Sequence, residues 1–233
     1  VGMDASSVDG LYIGLMSGTS TDGADAVLVR LRKGHPSEFH ATASVEIPKD
    51  LRETLLALNV PGENELHRAA LAANEMTSVY AEAVENVLQQ ASIHRNNIVA
   101  IGSHGQTIRH RPEQGYTLQL NAPALLAEKT SIAVVSDFRS RDVTAGGQGA
   151  PLVPAFHATL FSTDAPRIIL NLGGIANITV LAPGAPVTGW DTGPANILID
   201  GWIQRHLDLS FDRDGAWGTS GRVHTELLAY FLD

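Results

Sequence analysis

Three segments bring together residue types that phosphate or sugar chemistry needs. The first is Gly18-Thr19-Ser20-Thr21-Asp22-Gly23. Glycines let backbone N–H groups approach a phosphate closely, hydroxyls add donors, and a carboxylate can hold Mg²⁺ directly or through water. The same residues also make an ordinary hairpin turn, so both readings stay open here. The spacing matches neither G-x-x-x-x-G-K-[ST] nor G-x-G-x-x-G, which removes two common nucleotide loops. The second segment is Trp190-Asp191-Thr192-Gly193-Pro194-Ala195-Asn196. Asp191 is expected to end a strand and Pro194 to open the next helix, which aims a carboxylate at a crevice where a general base belongs. A helix N-cap from Asp191 or Thr192, worth about 1 kcal/mol, is the alternative.

The third segment runs Asp137-Phe138-Arg139-Ser140-Arg141-Asp142 and continues into Gly146-Gly147-Gln148-Gly149-Ala150-Pro151. Arg139 or Arg141 can grip a carboxylate or phosphate oxygen with two parallel hydrogen bonds. Internal Arg–Asp pairing is the plainer account. His104 and Gln106 follow a short strand as hydrogen-bonding loop residues, and no His/Glu spacing resembles a zinc site. Asp212-Arg213-Asp214-Gly215 lacks the spacing and terminal Glu of a calcium loop and reads as a turn.

The elements that must position these residues follow from periodicity and punctuation. Leu11–Met16 and Ala26–Leu31 read as strands of a hairpin whose tip is the first segment, with a third strand over Phe39–Ile47. From Glu65 to Gln90, apolar residues recur at three- and four-residue steps, the pattern of an amphipathic helix. Strands are expected at Ile98–Ile101, Tyr116–Leu120 and Ile132–Val135, with a short helix from Pro123 to Lys129. A second set then begins: strands Arg167–Leu172, Ala176–Leu181 and Val187–Asp191, and a helix from Pro194 to His206. Strand, glycine turn, strand, strand, helix therefore occurs twice, which predicts an α/β fold built from a duplicated unit.

The bulk properties restrict the partners. A formal charge of −9 without a Lys/Arg cluster argues against a broad nucleic-acid interface. The chain has no cysteine, so disulfides, thiolate metal sites and cysteine nucleophiles are excluded, as fits the cytoplasm. Apolar runs fall far short of the roughly 20 residues that span a bilayer, and no signal-peptide pattern is expected. Hydrophobic residues at 44% and charged residues at 18% predict a globule with a real core.

Taken in order, the blocks Gly14–Asp25, Ser103–Thr107, Asp137–Pro154, Asn171–Gly174, Trp190–Asn196 and Asp212–Gly215 resemble the anhydro-N-acetylmuramic acid kinase family from about residue 11 onward. The resemblance implies an actin-like ATPase (ribonuclease H-like) fold of duplicated βββαβα units, the second truncated. It implies a first domain over residues 1–138 and the start of a second over 139–233. It also implies an ATP- and Mg²⁺-dependent sugar kinase that opens 1,6-anhydro-N-acetylmuramic acid and phosphorylates it, in peptidoglycan recycling. By resemblance, Gly18, Thr19, Ser20, Thr21, Asp22, Gly23, Ala24 and Asp25 hold the ATP phosphates, and Asp191 activates water. Gln106 and Arg139 are assigned to the sugar, and the metal ligands are not assigned. The implied partners are the amino sugar and ATP, with neither nucleic acid nor membrane, in a cytoplasmic enzyme whose dimerisation stays open. A non-catalytic nucleotide-binding domain, or an inactive fragment, is the alternative function. Ala195 stands where the family usually has Gly, a change that matters only if positive φ is needed there. The family also continues beyond Asp233 into a second phosphate loop and the adenosine pocket, so this polypeptide alone is expected to bind ATP weakly and to be inactive.

Overall fold

The computed structural model describes residues 9–18 and 21–232; Thr19 and Ser20 lie outside the described residues. The chain opens with a meander of three antiparallel strands, β1 (Gly10–Ser17), β2 (Gly23–Leu31) and β3 (Glu38–Glu46). Alternation along β1 buries Leu11, Ile13 and Leu15, and β2 answers with Ala24, Ala26 and Leu28. The β1–β2 pairing runs from Gly10↔Leu31 to Ser17↔Ala24, so the ladder continues to the hairpin tip.

Two helices follow, α1 (Lys49–Ala57) and α2 (Glu65–Ala91). The apolar stripe of α2 buries Met76, Tyr80, Ala83, Val84 and Val87 against β2 and β3. Small alanines on this face let the helix lie close to the sheet. Next come β4 (Ile98–Ser103), a two-stranded ribbon of β5 (Gln106–Arg111) and β6 (Tyr116–Leu120), α3 (Pro123–Thr130) and β7 (Val134–Ser136). The strand expected at Ile132–Val135 is displaced, because Ser131 caps α3 in the left-handed conformation and residues 131–133 make the turn.

The main sheet has the order β3-β2-β1-β4-β7, antiparallel among the first three and parallel across β1, β4 and β7. This is the ribonuclease H-like strand order expected of an actin-like unit. Its register aligns Leu15 with Ser103 and Ser103 with Ser136, so β1, β4 and β7 end at one edge. The loops leaving that edge carry Gly18, His104 and Arg139.

Beyond β7 lie α4 (Phe138–Thr144) and α5 (Pro154–Phe161), which pack on β6 and β9 respectively once the next strands form. Those strands are β8 (Arg167–Leu172), β9 (Ile175–Leu181) and β10 (Thr188–Pro194), an antiparallel sheet of order β10-β9-β8. Then come α6 (Asn196–Leu207), α7 (Ala216–Thr219) and α8 (Thr225–Leu232). The second sheet thus repeats the β1–β3 meander. Here β8 keeps a free edge among the described residues, and Ile168, Leu170 and Leu172 along it are exposed. No helix among the described residues is long and apolar enough to cross a membrane.

Candidate functional site

The hairpin tip is a braced turn. Thr21 adopts φ 54°, is fully buried, and its N–H donates to the Gly18 carbonyl at 3.2 Å. The Asp22 carbonyl accepts from Ile47 N–H at 3.1 Å, tying the tip to the end of β3. Below it, the Ser17 hydroxyl and the Tyr80 phenol share a buried hydrogen bond of 2.6 Å, so α2 holds the strand end from beneath. Burial pushes the Tyr80 pKa well above the usual phenol range, with the Ser17 bond opposing.

Asp22 and Asp25 are exposed, while Ala24 between them is buried. The Ser44 hydroxyl donates to Asp25. A groove of about 1000 Å³ opens beside the tip, lined by Gly18, Asp22, Asp25, Lys49, Arg52 and, from the second half, Phe211. Asp200, on α6, is influenced by the hairpin electrostatically. Its carboxyl pKa is raised, first by partial burial and then by repulsion from Asp22. The Asp200 carboxylate thus feels the charge of Asp22, and both are hard-oxygen groups of the kind Mg²⁺ takes. Among the described residues no group of three or more acidic or histidine side chains forms a metal cluster.

Asp191 does not end its strand. It pairs with Asn177 three residues before the end of β10, and the register skips at Thr192 before Gly193. This bulge carries the strand on to Pro194, so α6 begins at Asn196 and not at Pro194. Nor do Asp191 and Thr192 cap the helix. The Gly173 and Gly174 carbonyls accept from the N–H groups of Ala195, Asn196 and Ile197, while the Thr192 hydroxyl donates to Ala176 O at 3.2 Å. Ala195 has φ −129°, so the positive φ that would call for glycine is absent there. The Asp191 carboxylate is exposed and makes neither hydrogen bond nor ion pair among the described residues.

What Asp191 does sense is Arg139 and His110. Burial lowers the Arg139 pKa from its ordinary value and the Asp191 charge opposes that fall. Burial and then Arg139 lower the His110 pKa, against the raising fields of Glu113 and Asp191. His110, on β5, donates to or accepts from the Thr117 hydroxyl at 3.0 Å and lies beside Gly149. Sequence reasoning placed no role on His110, because only the β5–β6 ribbon carries it to Asp191 and that ribbon's first strand was not anticipated.

Arg139 donates from Nε to His104 Nε2 at 2.7 Å and from Nη1 to the Gly149 carbonyl at 2.6 Å. It pairs with neither flanking aspartate. Asp142 instead accepts from Gly149 N–H at 2.7 Å, bracing the glycine loop. Gln106 is buried and donates to the Gly18 carbonyl at 3.3 Å, so it links the ribbon to the hairpin tip. Its Oε1 is buried without a donor among the described residues. Gly18 is thus reached from Gln106, and Arg139 from His104, two positions apart on one turn. That turn joins the hairpin to the surroundings of Asp191, although Asp191 and Arg139 lie outside the 1000 Å³ groove. Asp212 accepts from the N–H groups of Trp217 and Gly218, a helix-start turn as its sequence suggested.

Residues 10–233 match the family described as anhydro-N-acetylmuramic acid kinase. The chain belongs to that family. A relative of that name from Bordetella petrii is 60% identical over 222 residues, covering 95% of this chain and 59% of the relative. One from Paraburkholderia xenovorans is 54% identical over 226 residues, covering 97% of this chain and 60% of the relative. The chain therefore spans about 59% of the length of the first of these curated relatives. Among solved structures, (R)-2-hydroxyglutaryl-CoA dehydratase component A of Acidaminococcus fermentans aligns over 92% of this chain and 60% of its own, at 11% identity and TM-score 0.42. A likeness so loose carries no functional argument.

Proposed function

We propose that the protein to which this chain belongs is an ATP-dependent kinase for 1,6-anhydro-N-acetylmuramic acid, opening the anhydro bond as it phosphorylates the sugar. Membership of a family of that name supports the reading. The observation that carries it is Asp191: an exposed carboxylate, committed to no hydrogen bond, coupled to Arg139 and His110 at the same end of the fold as the hairpin tip. Among the described residues it takes neither structural role its position offers, a helix cap or an ion pair, and so stays available to a substrate.

In this reading Asp191 takes a proton from water as the water oxygen bonds to the anomeric carbon. The bond from that carbon to O6 breaks, and O6 bonds to the γ-phosphorus of ATP as the bond from that phosphorus to the β–γ bridging oxygen breaks and ADP leaves. Gly18 and Thr21–Asp25, with Thr19 and Ser20, hold the phosphates. Asp22 and Asp200 are the residues suited to hold Mg²⁺, which would offset the phosphate charge. Arg139 and Gln106 meet the sugar, Gln106 through its unspent Oε1. The halves divide at 138/139 into a first actin-like unit and the start of a second. A cytoplasmic enzyme follows from an ATP-dependent reaction; dimerisation is no part of the reading.

The test is a coupled assay of protein of the relatives' full length with Mg-ATP and the anhydro sugar. ATP-dependent appearance of the 6-phosphate is expected. ATP binding with no sugar phosphorylation would favour a nucleotide-binding domain without catalysis.

A further inference from the structure

A guanidinium serves a ligand best when its plane is already fixed, because ordering a free arginine on binding costs affinity. Among the described residues Arg139 has two of its three nitrogens engaged, Nε on His104 and Nη1 on Gly149 O, which leaves Nη2 for a ligand. We infer that His104 is the positioning residue for Arg139, acting as a neutral acceptor that fixes the guanidinium plane without cancelling its charge. The inference rests on the reading of Arg139 as a sugar contact.

The imidazole is itself held on three sides. Its backbone N–H donates to Leu15 O at 3.1 Å, anchoring it to the end of β1. Its Nδ1 lies 2.6 Å from Gly105 O, and a carbonyl only accepts, so Nδ1 carries the proton. Nε2 lies 2.7 Å from an arginine Nε, which only donates, so Nε2 is the lone-pair nitrogen. Both contacts demand one neutral tautomer. The neighbouring Gly105 sits at φ +78°, where a Cβ would meet Leu120 O at 2.7 Å, so the turn has no room to relax.

The choice of imidazole has a consequence for charge. A carboxylate is the commoner partner of arginine, and it would neutralise the cation it holds. The neutral ring leaves the positive charge intact for an anionic oxygen of the ligand. Desolvation first and the Arg139 charge second lower the His104 pKa, as a ring required to stay neutral needs.

The experiment compares Arg139→Ala, His104→Ala and His104→Gln in protein of the relatives' full length. Glutamine Oε1 can replace the imidazole acceptor without adding charge. A hydrogen bond to a charged group predicts a rise of about tenfold in sugar KM for both alanine variants, with ATP KM and kcat changed less than about threefold. His104→Gln should return to within about threefold of the parent enzyme. Impaired Arg139→Ala beside normal His104→Ala would overturn the inference, as would a His104→Gln enzyme as weak as His104→Ala. A normal Arg139→Ala enzyme would instead remove the sugar-contact reading beneath it. Nitrogen-15 NMR of the unmutated protein at neutral pH gives a check independent of folding in the variants: His104 should show a protonated Nδ1 and a bare Nε2, and an imidazolium or the opposite tautomer would refute the role.

Discussion

In the proposed site, Asp191, Arg139 and His104 differ in what each leaves available to a ligand. Among the described residues the aspartate makes no hydrogen bond or ion pair, the arginine keeps one nitrogen, and the histidine holds the arginine with Nε2 while Nδ1 is fixed on Gly105 O. Replacing Asp191 by Asn keeps shape and removes the base. General-base catalysis contributes about 10²–10⁴-fold, so Asp191→Asn should lose at least about a hundredfold in kcat. ATP affinity by calorimetry should be unchanged. Near-parental turnover would remove Asp191 from the mechanism.

At the scale of elements, the site depends on loops that leave aligned strand ends, with little freedom in the turns. Gly105 shows it most sharply, with its positive φ and the Leu120 carbonyl where a methyl group would go. Gly105→Ala should cost at least about 2 kcal/mol, combining the left-handed penalty with the clash, measurable by urea unfolding. An unchanged midpoint would mean that the β4–β5 turn relaxes.

Much of this layer was legible in the sequence. Alternation and glycine placement gave β1, β2 and β8–β9, and the three-and-four spacing gave α2 to within a residue of its observed end. The misses have physical causes. Helix α1 has only Leu51 and Leu55 buried over nine residues, too few repeats for the period to stand out. Helix α4 is a polar helix of about two turns, read as a charge cluster because its C-terminal end is set by a glycine loop and not by apolar spacing. In β10, a bulge that no residue type announces moved the helix start by two positions. The site was legible residue by residue, but not in its pairing. No local pattern reveals that Arg139 meets His104 across 35 positions, or that His110 comes to Asp191.

For the molecule as a whole, α2 is the beam on which the hairpin rests. Its 27 residues cross the first sheet, and Tyr80, near its middle, reaches the strand end at Ser17. The same geometry makes Tyr80 a built-in optical probe. Its ring is fully buried beneath the strand end, out of reach of alkaline solvent. Tyr80 should ionise only when the fold opens. Its raised value gives stability that is complete below about pH 10, the free-chain phenol range, and is lost as pH climbs past it, because only the unfolded chain then sheds that proton. A Tyr80→Phe protein should therefore lose one late-ionising chromophore and resist alkali better. A phenolate signal that Tyr80→Phe abolishes, seen while the fold is intact by circular dichroism, would contradict the burial that ties this ring to the serine beneath the tip.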